Sequence, residues 1–250
     1  DANPDVIFDV PQLPSGTVAN VFAVTDSMGA LFLNAQLNDG TTARIDPRSE
    51  PDTTNIRVIH LSPDAPAVDV LVNETLRAVE NLAFPDSTGY LNIEAGTYTF
   101  DVVPAGGSIE DSVLTIPDLP LDPDTFYTAV AYNSLASIAP LALVDDYSSL
   151  AHGNIRLRAI HTAVGVGEVD IWVIPDSGSP SILWENVPFG AVGDYIDVPS
   201  APYVLGFDVD NDANPDVIFD VPQLPSGTVA NVFAVTDSMG ALFLNAQLND

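Results

Sequence analysis

The chain reads as an all-β protein: tandem antiparallel β-sandwich modules preceded by a partial one. Three observations predict this. Short β-branched or aromatic runs recur at intervals of about 8 to 12 residues, and no helical periodicity interrupts them. Turns fixed by proline and glycine, such as SPDAP, PAGG and PDLPLDPD, separate the runs. The 21 prolines suit a fold that confines a residue without a backbone donor to edges, bulges and loops. The sequence also repeats itself at two levels.

The first element is residues 1–39, which are identical to residues 212–250, an offset of 211 residues. Exposed strand and loop positions tolerate substitution within about 0.5 kcal/mol, so folding alone does not keep every letter fixed. The copies are recent duplicates or overlapping views of one tandem array. Residues 1–39 correspond to the last three strands of a module, DVIFDV, VANVFAVTD and ALFLNAQLN. Without the preceding strands, Ile7, Phe8, Val21, Phe22, Leu31 and Phe32 lack cover, a hazard at a sheet edge. A neighbouring repeat or another chain is expected to complete this partial module by strand addition.

Residues 40–54 read as a linker. Residues 55–146 form the first full module, 147–153 a second linker and 154–250 the second module. The two modules are homologous: NIRVIHLSPDAPAVDVLVN from Asn55 matches NIRLRAIHTAVGVGEVDIWVI from Asn154, ENLAF matches ENVPF, and TYTFDVV matches PYVLGFDV. Each is near the ~100 residues of a small Ig-like sandwich. Period-2 alternation places Tyr98, Phe100 and Val102 on one face in the first module, and Tyr203, Leu205, Phe207 and Val209 on one face in the second.

Composition excludes several function classes. The chain has 35 acids against 6 basic residues, all arginine, and a formal charge of -29, which repels phosphate backbones and anionic lipid. Nucleic acid is not an expected partner. No apolar run approaches the ~18 residues of a membrane span, so membrane insertion is not expected either. The absence of cysteine removes disulfides, thiol catalysis and Cys-ligated zinc. The chain begins at Asp1 with no signal-like segment, as expected of a portion of something longer.

The stretch IRVIHLSPDAPAVDVLVN resembles the opening signature of the DUF4397 family, through Arg57, His60, Ser62, Pro63, Asp64, Pro66, Asp69 and Val70. In the second module Arg156 or Arg158, His161, Val169 and Asp170 persist, while the SPDAP turn has become AVGVG. The resemblance implies a secreted or envelope-associated sandwich module, hence an extracellular or cell-surface setting, and no reaction.

The strongest site signal is DVDNDANPD, with Asp208, Asp210, Asp212, Asn214 and Asp216 at alternate positions. Calcium takes six to eight oxygen ligands, and a turn with carboxylates at this spacing can fold around one ion. The alternative is a solvated hairpin loop, since Asp and Asn are turn formers. His60 and His161 sit at matching positions with Asp69 and Asp170 downstream, either a proton-transfer pair or structural histidines bonded to a neighbouring loop. Ser62 has no counterpart at Ala163 and no GxSxG elbow exists, so an enzyme is not expected. Trp172, Trp184, Tyr195 and Tyr203 are either a sugar-stacking platform or core. Asn73, Glu74 and Thr75 form a glycosylation sequon, so glycans are a candidate partner. The sequence therefore points to a structural repeat protein that forms a fibre, stalk or surface filament, its partners being copies of itself. The alternative is a carbohydrate- or ligand-binding module on a repeated stalk.

Overall fold

The structure is a computed structural model that describes residues 6–48 and 51–248. It divides into two units, Asp1–Pro51 and Asp52–Asp250.

The first unit holds β1 (Ala19–Thr25), β2 (Leu31–Leu37) and β3 (Thr42–Ile45), an antiparallel sheet in that order. The β1–β2 hairpin is set by Asp26, whose Oδ1 accepts from the Met28 and Ala30 amides at 2.9 and 3.0 Å. Two expectations change here. The segment read as a linker contributes β3, which pairs Thr42–Ile45 with Leu33–Gln36. Conversely Val6–Val10, expected as a strand, makes only an isolated bridge from Phe8 to Pro47. In the second copy the same letters form a strand because Tyr203–Asp208 lies beside them, and no such neighbour pairs with Val6–Val10 among the described residues.

The second unit contains two eight-stranded, sandwich-like modules. Module 1 comprises β4 (Thr53–Leu61), β5 (Val68–Val72), β6 (Leu76–Leu82), β7 (Leu91–Glu94), β8 (Gly96–Pro104), β9 (Leu114–Leu121), β10 (Phe126–Tyr132) and β11 (Ala139–Asp145). Module 2 repeats them as β12 (Asn154–His161), β13 (Val169–Val173), β14 (Ser181–Val187), β15 (Ile196–Pro199), β16 (Tyr203–Asp208), β17 (Val217–Val221), β18 (Val229–Thr236) and β19 (Leu242–Leu248). The sheet orders match strand for strand. Module 1 has β11-β10-β4-β7 and β6-β5-β8-β9, and module 2 has β19-β18-β12-β15 and β14-β13-β16-β17. One pair in each module, β4 with β10 and β12 with β18, runs parallel, and the other pairs are antiparallel. The first and seventh strands of a module are far apart in sequence, so no hairpin dictates their relative direction.

Each module buries the alternating face of its strands. Ile56, Val70, Phe100, Val102 and Tyr127 form the core of module 1, and Ala159, Ile171, Leu205 and Phe207 that of module 2. A third apolar cluster joins the modules back to back: Ile59, Leu61, Val130 and Leu143 meet Ile160, Phe233 and Val235. The segment between them is not slack, because Arg156 bonds Asp146 at 2.9 Å and the Ser148 hydroxyl at 2.7 Å.

Candidate functional site

The duplicated passage gives one sequence in two environments. In module 2, β18 is an inner strand, flanked by β19 on one edge and by β12 on the other, with Arg158 opposite Asn231 and Ile160 opposite Phe233. In the first unit β1 has the same letters and is an edge strand, paired among the described residues only with β2, in the same register that β18 keeps with β19. Phe233 is 0% exposed and its twin Phe22 is 54% exposed, while Val229 at 6% matches Val18 at 65%. Ile7 and Val21 are exposed as expected. Phe8, Leu31 and Phe32 are half-buried instead, Phe32 under the Arg44 guanidinium at 3.9 Å from its ring centre. Cover for the apolar side of β1 is thus not supplied in full by the described chain.

Between the modules lies a buried polar cluster that sequence reading missed. Asp145, at the end of β11, accepts from Arg158 Nη2 at 3.0 Å, Asn231 Nδ2 at 2.6 Å, Thr128 Oγ1 at 2.5 Å and the Tyr90 hydroxyl at 2.7 Å. Arg57 stands 3.9 Å from the same carboxylate and donates through Nε to Thr128 at 2.8 Å. The arrangement repeats the module symmetry. Arg57 lies over the Tyr90 ring and Arg158 over that of Tyr195, which adds cation–π attraction to each guanidinium. Burial, with the Asp145 carboxylate adding to it, pushes the Tyr195 phenol up to about 12, so it stays a neutral donor. Arg57 Nη1 also donates to the Leu248 carbonyl of module 2 at 3.0 Å, so the cluster fastens the modules together.

The acidic turn folds partly as expected. Carboxylate oxygens of Asp208, Asp210 and Asp216 come within 4.8 Å of one another. Asp212 stays in a local turn, its Oδ1 accepting from the Asn214 amide at 2.8 Å. Asp208 is buried, and its oxygens accept from the Asn211 and Ala213 amides at 2.7 and 2.8 Å. These bonds hold Ala213 at φ +67°, a left-handed conformation that costs about 1–2 kcal/mol for a residue with a Cβ. Pro215 packs over β16 at Gly206, where a Cβ would lie 2.6 Å from the proline ring. The negative charges of Asp212 and Asp216 raise the Asp210 carboxyl above its usual range. The first-copy equivalent, Asp1–Asp5, lies outside the described residues.

The histidines occupy equivalent bonds. The Nε2 of His60 faces the Pro66 carbonyl at 3.1 Å and that of His161 the Gly167 carbonyl at 2.7 Å. A carbonyl only accepts, so Nε2 carries the proton, and Nδ1 accepts the amide two residues on, from Ser62 and Ala163. The downstream carboxylates are engaged elsewhere. Asp69 holds the Asn81 and Gly106 amides and Arg77, and Asp170 holds the Asn186 amide at 2.6 Å. This is the geometry of structural histidines bracing the loop after the first strand. The four aromatics are not gathered on one surface: Trp184 and Tyr203 line the interior of module 2, and Tyr195 bonds Asn231 in the intermodule cluster at 3.0 Å.

A family model described as a domain of unknown function (DUF4397) matches residues 54–172. The match runs from β4 through the first two strands of module 2. Among solved structures, one of a Bacteroides fragilis protein provisionally described as a cell adhesion protein aligns with 97% of this chain and 86% of its own length, at 12% identity and a TM-score of 0.20. A superposition that loose carries no argument. No curated protein matches the chain. No helix among the described residues is long and apolar enough to cross a membrane.

Proposed function

From a chain that carries a DUF4397 domain over residues 54–172, we propose a structural, extracellular repeat protein that builds a fibre, stalk or surface filament by linear linkage of its sandwich units. One observation carries the reading: an identical strand is a largely buried inner strand as β18 and an open edge as β1. The missing neighbour of β1 has a known sequence, because β12 fills that place beside β18. A strand equivalent to Asn154–His161, from a preceding repeat or from a second copy, completes the open edge of the first unit through backbone hydrogen bonds and sets an isoleucine beside Phe22, as Ile160 stands opposite Phe233. Fully burying a side chain of this size contributes about 1.5–3 kcal/mol, so apolar cover of Phe22 adds to the backbone bonds in favour of linkage. The modules act as rigid spacers, welded through Asp145, and calcium at the Asp208–Asp216 turn would stiffen the junction that the repeat boundary crosses. No reaction is assigned to the chain in this reading.

Replacing Phe22 with Asp tests it. Sedimentation of the full chain over increasing concentration should show wild-type molecules associating, and Phe22→Asp molecules remaining monomeric with unchanged near-ultraviolet circular dichroism. Equal association of the two proteins overturns strand completion.

A further inference from the structure

The two modules share strand order, register and hydrogen-bonded histidines, yet their interiors differ. Module 2 encloses, between its two sheets, an apolar cavity of about 750 Å³. That lies inside the roughly 300–1,000 Å³ range of small-molecule sites and is several times the ~150 Å³ void that an apolar protein interior keeps empty. The cause is a specific set of replacements. In module 1 the residue preceding Thr128 is Tyr127, a buried ring whose hydroxyl accepts from the Asp122 amide at 3.0 Å and closes the end of the sandwich with buried Leu121. Thr128 sits opposite Arg57 as Asn231 sits opposite Arg158, so the matching position in module 2 is Ala230. On the first strand, Val58 of module 1 becomes Ala159. Leu224, which lines the cavity, is only half-buried, and inward-facing Leu157 is half-buried where its counterpart Ile56 is 2% exposed. Module 1 is plugged and module 2 is open at the same end.

We propose that module 2 is a binding site for a neutral, long-chain apolar molecule, an alkyl or terpenoid alcohol or hydrocarbon. The wall is aliphatic and aromatic, with Leu157, Leu205, Phe207, Phe219 and Val232 facing the space. Its polar atoms are already engaged: the Tyr203 hydroxyl donates to the Pro199 carbonyl at 2.7 Å and Trp184 Nε1 to the Asp194 carbonyl at 3.2 Å. The one charged lining residue is Asp220, an exposed acid. An anionic headgroup would meet that carboxylate and the field of a chain carrying -29, so a neutral head is selected over a fatty acid. Sugars are disfavoured because a dry wall leaves their hydroxyls without partners. This site is independent of strand completion at β1.

Trp184 in the wall supplies the readout. The chain has two tryptophans, so Trp172→Phe isolates its fluorescence. In the full chain, 1-dodecanol should shift Trp184 emission saturably, and dodecanoate at pH 7 should require at least a ten-fold higher concentration. Ala230→Tyr, which restores the module 1 plug, should abolish the dodecanol response while keeping the near-ultraviolet spectrum. Ala159→Val should weaken it, and serves as the second variant where the tyrosine does not fit. No saturable response to dodecanol, or a response undiminished in both variants, overturns the proposal. So does equal affinity for dodecanoate, which would remove the argument for a neutral ligand.

Discussion

At the residue scale, the molecule concentrates its risk in Asp145. Two buried arginines, a threonine, an asparagine and two tyrosines converge on this carboxylate or on one another. Truncation to Ala strands Arg57 and Arg158 in a low-dielectric interior, and breaking a buried pair this way costs about 3–5 kcal/mol. The urea midpoint of Asp145→Ala should fall accordingly, and a loss below about 1 kcal/mol, the range of exposed pairs, would mean that the cluster is hydrated. The histidines set a different dependence. Burial pushes both imidazoles below the ordinary 6.5, more strongly than their carbonyl bonds raise them. Above pH 6.5 folded and unfolded chains both hold these rings neutral, and the stability is whole. As pH falls from 6.5 toward the lower folded value, the unfolded chain binds protons first and stability declines. Urea midpoints should therefore drop between pH 7.5 and 5.5, with the His60 and His161 imidazole proton resonances titrating below 6.5. Titration at or above 6.5 contradicts the assignment. Arg57, Arg158 and both histidines were legible in the sequence as a repeated signature, whereas Asp145 was not. Its partners come from several strands of two modules, and no spacing along the chain encodes that convergence.

At the scale of elements, strand alternation was readable wherever one face is buried, as in Tyr98-Phe100-Val102, and pairing direction was not. The parallel contacts β4–β10 and β12–β18 depend on which strands meet across the whole module. Context also decides existence: VIFDV is strand β17 beside β16 and only a bridge at Val6–Val10, because strand propensity mostly measures packing against neighbours. The acidic turn shows the same limit. Alternate spacing nominated five ligands, but local backbone bonding decides that Asp208, Asp210 and Asp216 converge and that Asp212 and Asn214 form a turn of their own. The duplicated strand allows this to be measured with sequence held constant. Hydrogen exchange should find the amides of Ala230–Val235 protected across both edges of β18. In β1, amides directed to the open edge should exchange close to the rate of an unstructured chain in dilute solution, and slow on association. Similar protection of the two strands in dilute solution would show that β1 is already covered.

At the scale of the whole molecule, charge and apolar burial oppose each other in any contact between copies. Each chain carries a formal -29, and like-charge repulsion between approaching chains extends over a Debye length of about 30 Å at 0.01 M salt but only ~10 Å at 0.1 M. The proposed completing contact, by contrast, would join backbone edges and apolar side chains, which simple salt at these concentrations does not weaken. Association should therefore strengthen as sodium chloride rises from about 0.01 M to 0.1 M, read as a fall in the concentration for half-assembly by light scattering. Dissociation by salt would instead identify the contact as an ion-pair interface and count against strand completion. Divalent cations separate screening from site binding. At equal ionic strength, calcium should outperform magnesium only if the Asp208–Asp216 turn holds it, since a flexible oxygen-rich loop suits the larger ion. Asp210→Asn removes one of the three converging carboxylates and should erase the difference between the two ions while leaving the sodium chloride response intact. Persistence of the difference in that variant would place the calcium effect elsewhere on the acidic surface.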